Sequence, residues 1–160
     1  MTSARTLARR GFSLIELVIV IVIIGIIAAI AIPRMSRGAE GANDSALKAN
    51  LAVLRSAIDL YHTEHEGKYP TAGKFVEQLT TYTDLAGADS ATQTGSYIYG
   101  PYLREIPVLP VGANKGSAAV NVTGTQGGAQ GWLYDPATGK LTANLAAGDA
   151  DKAGKNYNAY

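Results

Sequence analysis

Gly11-Phe12-Ser13-Leu14-Ile15-Glu16 opens an apolar run, LVIVIVIIGIIAAIAI over residues 17–32, that closes at Pro33. Between Phe12 and Ile32 only Ser13 and Glu16 are polar. The 21 residues of that stretch would rise roughly 31 Å as a helix, about one hydrocarbon core. Ile and Val dominate it, and β-branched residues are mediocre helix formers in water. In lipid, a lone segment satisfies its backbone groups only as a helix. The run therefore predicts a membrane-spanning helix. Gly25, Ala28, Ala29 and Ala31 are small enough to let another helix approach closely. Glu16 is the exception to the pattern. A carboxylate in hydrocarbon is tolerated only when protonated or paired, so its presence asks for a partner.

Upstream lie eleven residues, Met1–Gly11, with Arg5, Arg9 and Arg10. Basic residues beside a membrane segment favour cytoplasmic retention. A secretory signal peptide has the same basic start, but its apolar stretch is shorter and ends at a small-x-small site. Here Arg34 and Met35 follow Pro33. A plain signal anchor leaves Glu16 unexplained.

The string GFSLIELVIVIVIIGIIAAIAIP resembles the N-terminus of type IV pilins and type II secretion pseudopilins. The resemblance implies cleavage by a prepilin peptidase between Gly11 and Phe12, with N-methylation of Phe12. Glu16 would then be the fifth residue of the mature chain. A free ammonium on Phe12 could pair with Glu16 of a neighbouring copy or of its own chain. Pairing between copies is heterologous, and a heterologous contact that does not close builds an open helical filament. Phe12, Glu16 and Pro33 are thus the assembly residues that the resemblance implies. Proline cannot continue the helical ladder, and Gly38 and Gly41 follow, so a weak point is expected over residues 33–41.

The remaining chain has the size of one small domain. The formal net charge is +1; removing the three leader arginines from the 14 basic residues leaves 11 against 13 acidic. That balance gives no basic patch for nucleic acid, and no nucleic-acid partner is expected. There is no cysteine, which excludes disulfides and thiolate metal sites.

Asn43 or Ser45 can cap a second helical stretch, about residues 43–66. Leu47, Leu51, Leu54, Ile58 and Tyr61 form one apolar stripe at helical spacing. Lys48, Arg55, Asp59 and Glu66 fall away from it. The helix should end near Gly67, with Pro70 beyond. Phe75, Val76 and Leu79 suggest a short helix, and residues 85–96 a surface loop. Gly100-Pro101-Tyr102-Leu103-Arg104-Glu105-Ile106-Pro107 reads as an extended segment and resembles a string of major pseudopilins. The VLPVG that follows at residues 108–112 departs from that family's acidic residue and Trp-Gly. Residues 119–123 predict a short strand. Trp132-Leu133-Tyr134, the turn Asp135-Pro136-Ala137-Thr138-Gly139, and residues 140–145 predict a hairpin. Leu141, Ala143 and Leu145 should face the helix, with Lys140, Thr142 and Asn144 in water. The tail from Gly148 should cover the sheet edge or fray.

Three further sites were weighed. His62 and His65 share a helix face, but with no third His and no Cys they read as a solvated helix end rather than a metal pair. Asn43-Asp44-Ser45 and Asn121-Val122-Thr123 match a glycosylation sequon, a three-residue pattern of little weight. Major pseudopilins carry calcium near the C-terminus, so the resemblance implies a Ca²⁺ site with Asp149 and Asp151 as its ligands. No catalytic constellation is present, and the chain is not expected to be an enzyme.

The expected fold is α+β and pilin-like: a long N-terminal helix, membrane-spanning in its first half, packed on a small C-terminal antiparallel β-sheet. The expected organisation is a leader (1–11), a transmembrane and assembly helix (12–33) and a periplasmic globular domain (34–160). The expected role is that of a major, G-type pseudopilin. Its partners would be further copies of itself, prepilin peptidase, minor pseudopilins, the inner-membrane assembly platform and the membrane. It would lie in the bacterial inner membrane with its N-terminus cytoplasmic, then in a periplasmic filament. The alternatives are a type IV pilus subunit for adhesion, motility or DNA uptake, and a signal-anchored enzyme or binding domain.

Overall fold

The computed structural model describes residues 12–151 and 153–160. Helix α1 runs from Leu14 to Glu64. The chain divides into two units, one ending at Ala39 and the other spanning Glu40–Tyr160.

In the first unit α1 presents Leu14–Ile32, 19 residues of mean hydropathy 3.2, none of them buried. Exposure of that many large apolar side chains marks a surface made for lipid or for other chains. The helical assignment passes through Pro33 and through Asn43 and Ser45. The second helix that those two residues were expected to cap does not begin there. Ser45 instead donates its hydroxyl to the Gly41 carbonyl one turn back (3.0 Å), a bond open to serine inside a helix.

In the second unit the stripe is buried as its spacing requires: Leu47, Leu51, Leu54, Ile58 and Tyr61 are at most 2% exposed. Each such aliphatic side chain contributes about 1.5–3 kcal/mol on leaving water. α1 ends in a left-handed turn, with Glu66 at φ 55° and Gly67 at φ 78°. The Gly67 N–H reaches back to the His62 carbonyl (2.9 Å), so one of the last turn's free acceptors is met.

Helix α2 (Phe75–Thr80) follows a 3₁₀ turn and buries Phe75 and Leu79, as the pattern predicted. A two-residue strand pair forms, β1 (Tyr82–Thr83), just before the expected surface loop, against β2 (Asp89–Ser90) inside it, antiparallel. β3 (Val120–Asn121), β4 (Trp132–Asp135) and β5 (Lys140–Ala143) make the main sheet, in that order. β4 and β5 are the antiparallel hairpin, with Trp132 opposite Ala143 and Asp135 opposite Lys140. β3 pairs with β4 in parallel, Val120 opposite Trp132. The sheet is therefore mixed rather than wholly antiparallel. The glycine-containing loop over residues 122–131 carries the chain back before it runs alongside itself, which a tight turn could not do.

Trp132, Tyr134, Leu141, Ala143 and Leu145 point into the same apolar cluster as the α1 stripe. Trp132 donates its indole N–H to the Pro107 carbonyl (2.7 Å) and Tyr134 its hydroxyl to the Pro70 carbonyl (2.9 Å). Both buried polar tips are thus satisfied. Two expectations of exposure fail. Asn144 is 3% exposed, because its amide bonds the Gly127 carbonyl (2.9 Å), the Gln130 carbonyl (2.8 Å) and the Gly127 N–H (3.1 Å). Arg55 is half-buried, its guanidinium bonded to the Leu141 carbonyl on β5 (2.8 and 3.1 Å).

The hairpin turn is built on Asp135. Its carboxylate accepts from the Thr138 hydroxyl (2.7 Å) and the Ala137 N–H (3.0 Å). Gly139 sits at φ 70°, and a Cβ there would lie 2.3 Å from the Tyr69 ring. The Thr138 bond first, then the Ala137 N–H, holds the Asp135 carboxyl below its ordinary value. Its contribution to stability is present above the unfolded value of about 3.9 and is lost as pH falls through the lower folded value. Asp135→Ala should therefore melt below the wild type at neutral pH, with the gap narrowing as the pH is taken below that unfolded value. A gap that stays constant over that range would refute this role of the turn.

Candidate functional site

The apolar segment of α1 positions the residues on which function turns. Phe12 precedes the helix and is 85% exposed. Glu16 lies in the first helical turn, and one of its carboxylate oxygens accepts the Ser13 backbone N–H (2.9 Å). That bond satisfies one of the free N–H groups at a helix start, and negative charge there is favoured by the helix dipole. Ser13-x-x-Glu16 is the spacing of a capping box. The spacing is visible in the sequence, and it gives Glu16 a local role at the helix start beside any role in lipid.

Gly11, and with it the expected bond of cleavage, lies outside the described residues. At Pro33 the backbone is helical. Of the residues expected to serve assembly, Phe12 and Glu16 lie at the head of the helix, whereas Pro33 lies just past the end of the apolar segment.

His62 and His65 do not act as a pair. His65 is fully buried and stacks on Tyr61 with ring centres 3.8 Å apart. Its Nδ1 lies 2.9 Å from the Tyr61 carbonyl, which only accepts, so that nitrogen carries the proton. Its Nε2 meets the Thr83 hydroxyl at 3.0 Å. His65 is therefore a core residue joining α1 to β1, not part of a solvated helix end. His62 stacks instead on Tyr69, at 4.2 Å.

The residues expected to hold calcium lie in the tail. Asp149 accepts the Ala146 N–H on one carboxylate oxygen (3.2 Å). Both oxygens of Asp151 are engaged by donors of the chain itself, the N–H groups of Ala153 and Lys155 and the Tyr160 hydroxyl. Calcium takes six to eight oxygens, and among the described residues no three of His, Cys, Asp and Glu gather as ligands. As arranged, these side chains do not fit the ion. A nearby cleft of about 280 Å³ is lined by Asn114, Gly127, Gly128, Asn144 and Asp149 among others. These are amides and backbone with one carboxylate, a set suited to holding loops together.

Residues 7–32 match the family model described as the prokaryotic N-terminal methylation motif. No curated protein and no solved structure matches the chain. The motif is that of type IV pilin-like substrates of prepilin peptidase, and it speaks for a structural subunit rather than an enzyme. An apolar helix next to such a motif fits the membrane anchor of a pilin-like protein.

Proposed function

We propose that this chain is the structural subunit of a helical pseudopilus that drives type II protein secretion. It would be made as a precursor, cut between Gly11 and Phe12, methylated at Phe12 and held in the inner membrane until assembly. The methylation motif over residues 7–32 carries this reading. Glu16, the one ionisable side chain between Phe12 and Ile32, supports it. Pairing of that carboxylate with the Phe12 ammonium of the next copy would set the register of each incoming subunit, and the heterologous contact would extend without closing. The local bond to Ser13 gives the carboxylate a resting partner before assembly. Minor pseudopilins and the assembly platform would complete the machine.

A type IV pilus subunit is the second reading. The VLPVG stretch at residues 108–112, unlike the corresponding string of major pseudopilins, weakens the assignment to the major pseudopilin and keeps this reading open. Deleting the gene separates the two: loss of secreted proteins supports the pseudopilus, and loss of adhesion, motility or DNA uptake supports the pilus.

Processing is tested by the N-terminal mass of the mature protein from membranes of its native host. The expected chain begins at methylated Phe12. A chain that keeps Met1–Gly11 in cells with active peptidase would leave a plain anchor, and the filament reading would fall.

A further inference from the structure

The resemblance to pseudopilins puts a calcium ion in the C-terminal part of the domain, yet the carboxylate expected there is closed by the chain itself. One oxygen of Asp151 accepts the N–H groups of Ala153 and Lys155, each at 2.8 Å, and the other accepts the Tyr160 hydroxyl. The Tyr160 ring in turn carries two ammonium groups, Lys155 at 4.2 Å and Lys48 at 4.7 Å from its centre. A divalent ion held by both oxygens of Asp151 would compete with three hydrogen bonds and meet two positive charges at short range, where like charges repel.

We propose that the tail, residues 146–160, is a latch that closes on α1 and β5 by the chain's own hydrogen bonds and needs no divalent cation. Two hydrogen bonds join it to α1. The Tyr157 hydroxyl donates to Asp44 (2.6 Å), and Arg55 donates to the Tyr160 carbonyl (2.5 Å) while also holding Leu141 on β5. A planar guanidinium makes several such bonds in fixed geometry. Asn158 adds a bond from its amide to the Leu145 carbonyl (3.0 Å). Its side-chain oxygen is buried without a protein partner.

The latch stands whether or not the chain builds a pseudopilus, so its test does not depend on that reading. The full-length protein in detergent is melted, and digested with trypsin, in millimolar calcium and in EGTA. Melting temperature and the rate of cleavage after Lys155 should be the same in both. Tyr160→Phe loses one hydroxyl and keeps the ring; it should raise that rate about tenfold in either solution. A higher melting temperature or slower cleavage of the wild type in calcium would overturn the proposal, and so would a Tyr160→Phe variant cleaved at the wild-type rate.

Discussion

Glu16→Ala should insert into the membrane and lose its leader normally, yet form no filaments. In the proposed filament the carboxylate meets a neighbour's ammonium in a medium of low dielectric. Removing one member of such a pair leaves the other charge buried alone, at about 3–5 kcal/mol. That is more than about a hundredfold in affinity at every subunit contact, enough to stop assembly. The local role observed at Ser13 (2.9 Å) is worth much less, about 1 kcal/mol for a helix cap. If capping were all that Glu16 did, the variant would assemble with less than about tenfold weakening. Filament yield by electron microscopy, with the membrane-inserted fraction measured alongside, separates the two. Normal filaments from Glu16→Ala would remove the residue from the assembly mechanism.

The second large effect belongs to the core. Trp132 is fully buried on β4 and holds the Pro107 carbonyl through its indole N–H (2.7 Å). Trp132→Ala should cost about 3–5 kcal/mol, from lost burial and the cavity left behind. A small domain has only about 5–15 kcal/mol in total, so the urea midpoint should fall steeply. Trp132→Phe keeps most of the ring volume and loses the N–H; it should cost about 1–3 kcal/mol, the penalty for a carbonyl left without its donor. A loss under about 1 kcal/mol for the alanine variant would mean that the sheet is not anchored there.

The parts of this fold that the sequence made legible are those written in periodic burial. The 47-51-54-58-61 stripe, the Phe75–Leu79 helix and the hairpin around Asp135–Gly139 each follow from spacing or turn chemistry, and all three are present. What escaped depended on partners distant in sequence. A strand of two residues, Val120–Asn121, carries no signal of whether its neighbour runs with it or against it. Asn144 alternates correctly for the solvent face and is nevertheless buried, because the loop at residues 127–130 folds over it and offers two carbonyls. Arg55 and His65 are polar residues whose partners lie on other segments: the Leu141 and Tyr160 carbonyls for the first, the Thr83 hydroxyl for the second. At the candidate site the motif itself was plain, since Phe12 and Glu16 are fixed by local spacing. The calcium expectation rested on the resemblance, and the bonds made by Tyr160 and Lys155 to Asp151 were not visible in an Asp-x-Asp spacing.

The bonds from Tyr157, Tyr160 and Arg55 also bear on time. A disulfide needs an oxidant, and its formation and reshuffling take seconds to hours. The chain has no cysteine, and its tail is fastened by hydrogen bonds that form as soon as the surrounding chain is in place. A domain closed in this way waits on no oxidoreductase, and its closure runs at the speed of folding itself.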